Sequence, residues 1–452
     1  MRLGVAALLG WLAAWPVGAQ SLPEVTIEPE IRALLAVKQR MRDSLEEVPE
    51  LVCSQTVRRM RVNEQQRRRL EKRMAKAIAR GRNLRETTLA EFSDVVRLEV
   101  AVVDGTELYS WPGAAFEPIR PAELVGFGLM ADGALFSFAR SVFLTHQATI
   151  RFAGEQALEG RPALRFDYQV PYFRSGYTIT TVSGSAKVAF RGSFWVDPES
   201  FAVLRLDKEG VDLPPELALV AATAHVDYQQ VTIDGRELTL PRLAVDELLA
   251  MDGAVSRNEA TFERCRRFLA GSSLSFDVSE REAEEPAPQP EPTLPALPSG
   301  LTLRLRLAEA IEGEKAVVGD AVTAELRRDV LVGGRTLARK GDVIRGRLRR
   351  VQRLGGEDAP YYAIALTFDG LTAKLVDVQD TGGISRNEPY RPRVETTRRS
   401  NFGFETYGGG FETSASRDAI DLGVDGLDTF YVPGERWALP KGFALTLETR
   451  GP

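Results

Sequence analysis

The chain has 452 residues, room for two or three ordinary domains, and 44% of them are hydrophobic, enough to build real cores. A net charge of −5 gives bulk electrostatics no pull toward nucleic acid. Only two histidines occur, His146 and His225, which argues against HExxH zinc sites, His-Cys zinc ribbons and most Ser-His-Asp triads.

The first element is a leader. Arg2 is followed by an uncharged, mostly apolar run from Leu3 through Trp15, then by Val17-Gly18-Ala19 before Gln20. This is the plan of a secretory signal peptide, residues 1–19, with cleavage expected after Ala19. No cysteine stands at the cut for a lipid anchor, and no later apolar run approaches membrane-spanning length. The expected localisation is therefore periplasmic or extracellular. In such a compartment the two cysteines, Cys53 and Cys265, are expected to form one disulfide closing a loop of about 212 residues; the alternative is two separate buried thiols.

Pro29 then opens a helix. Ile31, Leu34, Leu35, Met41, Leu45 and Val48 recur at helical spacing, Pro49 ends the run, and Leu34, Met41 and Leu45 are expected to pack on a sheet. From Leu51 to about Phe276 the period changes to two. Leu98 and Val100, Ile150 and Phe152, Leu164 through Val170, Phe194 and Val196, and Leu238 and Leu240 alternate with polar neighbours. Asp104-Gly105, Glu159-Gly160 and Asp234-Gly235 mark turns. Residues 121–143 read as a helical insert able to cover such a sheet.

Residues 280–298 contain six prolines and five glutamates and are expected to form an extended spacer between domains 20–279 and 299–452. Alternation resumes with Leu301, Leu303, Leu305 and Leu307. It continues through Val322, Ala324 and Leu326, then Val343, Gly346 and Leu348, then Ile364, Leu366 and Phe368, as in a second, small all-β barrel. Residues 379–428 are polar and glycine-rich and read as a long mobile loop.

The strongest local charge feature lies between Arg58 and Arg85, where twelve residues are Lys or Arg and only Glu64 and Glu71 are acidic. It is either a solvated insert or a contact for an anionic membrane surface or glycan. Aromatic residues are absent from it, so base stacking has no platform and nucleic acid is not an expected partner. The stretch from Gly126 to Ala131 matches a loose dinucleotide pattern without the βαβ context that would give it meaning. Asp418, Asp421, Asp425 and Asp428 lack the order of calcium-loop ligands. No metal, cofactor or catalytic residue is expected.

Gly192-Ser193-Phe194-Trp195-Val196-Asp197-Pro198-Glu199, with the return Leu204-Arg205-Leu206, resembles the lipoprotein-carrier (LolA-like) half-barrel family. The whole region from about 30 to 278, including the stretch from Arg97 to Gly105 and Tyr109-Ser110-Trp111-Pro112-Gly113, resembles a group of exported bacterial proteins with that architecture. The resemblance implies a curved antiparallel half-barrel sheet, a helical lid and a concave hydrophobic pocket. The long basic insert and the cysteine pair depart from that pattern. The second domain resembles the β-barrel of conjugation-type secretion scaffolds, on the stretches from Gly300 to Ala324 and from Lys340 to Gly346. That family's proline-alanine-glycine turn is replaced by Ala338-Arg339-Lys340-Gly341-Asp342.

The expected fold is thus mainly β with a few helices: a half-barrel sheet with helical cover, plus a small barrel. The expected protein is non-enzymatic and works in the cell envelope. It binds or shuttles a hydrophobic ligand, an acyl chain or lipid, in a pocket lined by Leu98, Val100, Phe152, Leu164, Phe166, Phe194 and Val196; under a helix that covers them fully the same residues are ordinary core. The rival readings are an envelope scaffold that docks on a protein partner and a hydrolase with a histidine-free carboxylate site.

Overall fold

The structure is a computed structural model and describes residues 28–46, 51–63, 91–116, 118–126, 128–267, 297–354, 361–379, 383–386, 411–416 and 428–450. The leader, residues 64–85 of the basic block, residues 280–296 of the spacer, and Asp418, Asp421 and Asp425 lie outside the described residues.

In chain order the first part holds α1 (Pro29–Leu45), β1 (Leu51–Asn63), β2 (Glu91–Val103), β3 (Thr106–Ser110), α2 (Pro121–Val125), β4 (Gly128–Ala131) and α3 (Ser137–Phe143). There follow β5 (Thr149–Glu155), β6 (Leu164–Val170), β7 (Tyr177–Thr180), β8 (Ser185–Lys187), β9 (Ala189–Val196) and β10 (Val203–Val211). The long strands β11 (Leu219–Ile233), β12 (Arg236–Ala250) and β13 (Ala254–Arg267) complete it. Ten of these strands form one antiparallel sheet in the order β3-β2-β1-β13-β12-β11-β10-β9-β6-β5. Its inner face is apolar by the expected alternation, and α1, α2 and α3 cover that face.

The second part holds β14 (Thr302–Leu307), β15 (Ile311–Glu312), β16 (Ala321–Leu326), β17 (Val330–Val332), β18 (Arg335–Ala338), β19 (Val343–Leu354), β20 (Tyr361–Phe368) and β21 (Ala373–Val378). It ends with β22 (Phe411–Ser416), β23 (Thr429–Pro433), β24 (Ala438–Leu439) and β25 (Ala444–Thr449). Seven of these strands make a sheet in the order β21-β25-β14-β16-β19-β20-β23. Its two edges meet where the Leu375 amide of β21 donates to the Asp428 carboxylate, 2.5 Å away and one residue before β23. A cavity of about 40 Å³ remains at this seam, lined by Phe368, Leu375, Phe430 and Leu445 among others. The chain is therefore mainly β with a few helices: a large curved sheet with helical cover and a small barrel.

Four details differ from the expectation. Helix α1 buries Ala33, Val37, Met41, Ser44 and Leu45, whereas Ile31 and Leu35 are half exposed. Leu34, Met41 and Leu45 pack on the sheet as expected, and the helix lies close to β12, where Ser44 Oγ accepts the Thr239 amide at 2.9 Å. Residues 121–143 are not one helical insert: Gly126, at φ 88°, ends α2 in the left-handed region and the chain returns as β4. Val343 is half exposed, because Ile344 and Leu348 take the inward parity of β19. Within residues 379–428, expected to be loop, Phe411–Ser416 is the strand β22. It inserts between β4 and β7 in a separate four-stranded sheet, antiparallel to the first and parallel to the second.

The two sheets touch directly. Arg97 and Val95 of β2 exchange backbone hydrogen bonds with Val318, and the Arg97 guanidinium lies 2.6 Å from Asp320. Gly319 sits between them at φ 104°; a Cβ there would stand 2.4 Å from the Arg97 carbonyl and 2.9 Å from the Trp111 ring. Only glycine fits this approach. Arg349 covers the other face of the junction, 4.9 Å above the Trp111 ring.

Candidate functional site

The inner wall of the ten-stranded sheet collects five of the seven residues expected to line a pocket. Leu98 and Val100 on β2, Phe166 on β6, and Phe194 and Val196 on β9 are all buried in one cluster. Leu164 on β6 is partly buried against that cluster, and Phe152 on the edge strand β5 is 36% exposed. Phe166 stacks on Phe194 at 5.0 Å, and Phe152 tilts against Phe166 at 5.2 Å.

Over Phe190 and Phe194 the wall is closed by α3. Phe143 meets Phe194 edge-on at 5.0 Å, and Phe138 meets Phe190 at 6.2 Å. The five buried residues, Leu98, Val100, Phe166, Phe194 and Val196, pack here as core, whereas Phe152 stays partly exposed at the sheet edge. Of the two cavities described, one is the barrel seam and the other lies on the outer face of the large sheet; none of the seven lines either.

Helix α3 has seven residues, too few to hold its conformation without tertiary contacts. One anchor is Glu107 on β3, whose carboxylate accepts the amides of Gly133, Phe136 and Ser137 at 3.0, 2.7 and 3.0 Å. A carboxylate at this position also complements the positive end of the helix. Tyr109 donates to the same group at 2.5 Å. The other anchor is Lys208 on β10, whose Nζ lies 5.0 Å above the Phe138 ring and 3.9 Å above Tyr177.

Lys208 belongs to a feature the sequence reading missed. Strand register places Asp94, Arg59, Asn258, Asp246, Ala224 and Lys208 side by side on β2, β1, β13, β12, β11 and β10. All but Ala224 are buried polar side chains. A polar belt thus crosses an otherwise greasy wall. Arg59 and Asp94 pair in parallel, Nε to Oδ1 at 2.8 Å and Nη2 to Oδ2 at 2.5 Å. Asn258 donates to the Leu129 carbonyl of β4 at 2.8 Å, and Lys208 stands 4.0 Å from Asp246. Parity carried the signal: Lys208 shares the inward phase of Leu206.

Asp132, in the link from β4 to α3, faces the lysine end of the belt. Burial pushes its carboxyl up to about 8; the charges of Glu107 and Asp246 add to this, while Arg120 and Lys208 oppose it. Burial likewise lowers the Lys208 ammonium to about 8, against the pull of Asp246 and Asp132. An unfolded Asp132 titrates near 3.8. Between about 4 and 8 the folded chain therefore holds a proton that the unfolded chain has released, so this group's contribution to stability falls as pH rises through that window. The Lys208 window lies above it, from about 8 to 10.5. Asp132→Asn should flatten the urea-derived stability profile between about 4 and 8 by up to one proton, about 1.4 kcal/mol per pH unit. Parallel profiles for the two chains would show that Asp132 titrates normally in the fold.

The outer groove, about 420 Å³, is lined by Ser193, Asp207, Glu209, His225, Glu247 and Arg257 among others. Asp207 and His225 face each other across β10 and β11. Burial raises the Asp207 carboxyl to about 6 and lowers His225. Ser193 donates to Asp167 at 2.7 Å and accepts from Arg165 at 3.2 Å, so its hydroxyl is directed at a carboxylate and not at the imidazole. Cys53 and Cys265 are joined, tying β1 to β13. Among the described residues no group of three or more His, Cys, Asp or Glu could hold a metal ion, and no helix is long and apolar enough to cross a membrane.

No protein-family model matches the chain, and comparison with curated proteins finds no match. Solved structures do align with about half of it. One is a domain described as an outer membrane lipoprotein-sorting protein from Vibrio parahaemolyticus, 12% identical, covering 55% of this chain and 96% of its own, with a TM-score of 0.28. A second is a DUF1329 family protein from Desulfovibrio piger, 12% identical, covering 54% and 96%, with a TM-score of 0.27. A third is a LolA superfamily protein from Nitrosomonas europaea, 8% identical, covering 53% and 94%, with a TM-score of 0.26. Likeness at this level leaves the functional argument to the chain's own residues.

Proposed function

We propose that the protein is a non-enzymatic component of the cell envelope that binds a hydrophobic ligand, an acyl chain or lipid, along the inner wall of the large sheet. The observation that supports this is the way the wall is closed. Over Phe190 and Phe194 it is sealed by a seven-residue helix held through ring contacts, one carboxylate and one lysine, while the 17-residue α1 and the strand β4 cover other parts of it. Short elements of this kind open at lower cost than the sheet beneath them. Withdrawal of α3 would uncover Phe190 and Phe194, and an acyl chain replacing Phe138 and Phe143 would gain about 0.8 kcal/mol per buried methylene.

Protein purified gently from its own envelope should carry lipid by native mass spectrometry, and the emptied chain should take up a fluorescent fatty acid. Phe143→Ala removes a ring from the cap and should raise that uptake. An empty chain that takes up nothing, in both forms, overturns the reading.

A scaffold or docking protein is the second reading, and the junction between the sheets favours it. Backbone hydrogen bonds, the Arg97–Asp320 pair and the stacking of Arg349 on Trp111 join the two units into one surface. On this reading the barrel docks on another envelope protein, and crosslinking in the native envelope gives one dominant partner.

A further inference from the structure

One rim of the large sheet differs in character from the other. Strand register brings the end of β1, the start of β2, the β12–β13 turn, the β10–β11 connection, the start of β9 and the end of β6 to a single edge. At this edge Tyr172, Phe173, Val182, Val220 and Met251 are between 57% and 74% exposed. They belong to one surface. Thr181, beside Val182, donates to the Leu217 carbonyl at 3.1 Å; the Met251 amide donates to the Ala218 carbonyl at 2.9 Å; and Lys187 lies 5.2 Å over the Tyr172 ring. The turns at the opposite rim carry Asp104, Glu159, Asp197, Glu199 and Asp234, and no exposed large apolar side chain among the described residues.

We propose that the apolar rim docks on an anionic phospholipid bilayer. Apolar side chains concentrated on neighbouring loop tips constitute a patch that a water-facing surface does not need. The two aromatic residues carry cations on their faces, Lys187 on Tyr172 and Arg174 on Phe173, the latter at 5.5 Å. Aromatic rings settle at headgroup depth, and long basic side chains reach back from there to phosphate. The described rim itself is not basic, since Asp212, Glu216 and Asp252 offset these two cations. The argument for an anionic partner comes from the chain that leaves this edge. Residues 64–90 depart from Asn63 and return at Glu91, both on this rim, and contain nine Lys or Arg against three Glu. The same edge therefore presents apolar groups for insertion and is the point of attachment of the strongest positive charge in the sequence. The inference does not depend on a ligand beneath α3.

The experiment uses the full chain with vesicles of phosphatidylcholine, with and without phosphatidylglycerol. Sedimentation should show retention on the anionic vesicles that weakens with salt, and Phe173→Ser combined with Val182→Ser and Met251→Ser should reduce it at least tenfold. Because the three sites are exposed, the thermal midpoint of the variant should match that of the parent. A Phe173→Trp chain gives a local readout independent of the apolar N-terminal run. Against the parent's spectrum, the added emission should shift to the blue on anionic vesicles and be quenched by brominated lipid. Equal retention of the parent and the triple variant, no retention at all, or an indole that neither shifts nor is quenched overturns the proposal. Fatty-acid uptake with no vesicle binding would retain the ligand reading and discard this one; vesicle binding by a chain that takes up no lipid would do the reverse.

Discussion

Arg59→Met should destabilise the fold by about 3–5 kcal/mol in urea unfolding, among the largest effects available to a single substitution in this chain. Both partners of the Arg59–Asp94 pair have fully buried side chains, and the guanidinium meets both carboxylate oxygens. Removing the arginine leaves Asp94 charged in an apolar wall, where the carboxylate must either be neutralised or draw water in. Asp94→Ala should cost a similar amount for the complementary reason. The pair itself is not expected to add net stability, because desolvation offsets its Coulomb attraction. A chain carrying Arg59→Met together with Asp94→Leu should therefore recover most of the loss. If the double variant is no more stable than either single one, the belt is needed for its geometry and not merely tolerated, and the remaining contacts of Arg59 carry the difference.

That belt also shows where a sequence reading succeeds and where it stops. Period-two alternation is a local property, so Phe166 and Phe194 could be placed inward, and the turns at Asp104, Glu159 and Asp234 could be set between strands. The two-sheet architecture was legible for the same reason, and the even cysteine count suggested the Cys53–Cys265 bridge. Arg59, Asp94, Asn258, Asp246 and Lys208 were hidden because their significance lies in register between six strands separated by up to 199 positions in the sequence. Each taken singly is a polar residue in a strand; only pairing makes them a row. The cap was blurred by Gly126, whose left-handed backbone splits what composition suggested was one helical insert. Strand β22 was hidden for a related reason. Its partners β4 and β7 lie in the other unit, and a glycine-rich stretch gives no local sign of a strand that forms only by addition to a distant edge.

Removing the disulfide should act through a different state of the chain. Cys53 lies where the β1–β13 ladder shifts register, between Val52 and Ser54, and Cys265 is near the end of β13. The bridge spans a sequence separation of 212, so it encloses nearly the whole large sheet. Chain entropy assigns a loop of that size about 5 kcal/mol, and native bridges of this kind deliver about 2–5. Ladder pairs between β1 and β13 run from Ser54↔Glu263 to Asn63↔Ala254 without the bridge, so the folded sheet should survive its loss. Cys53→Ser with Cys265→Ser is therefore expected to keep the parent's circular dichroism while its urea midpoint falls. The slope of unfolding should steepen, since an unbridged chain expands further when it unfolds and exposes more surface. A lower midpoint with an unchanged slope would place the effect in the native state, at the register shift beside Cys53. An unchanged midpoint would mean that the ladder alone holds the two ends of the sheet together.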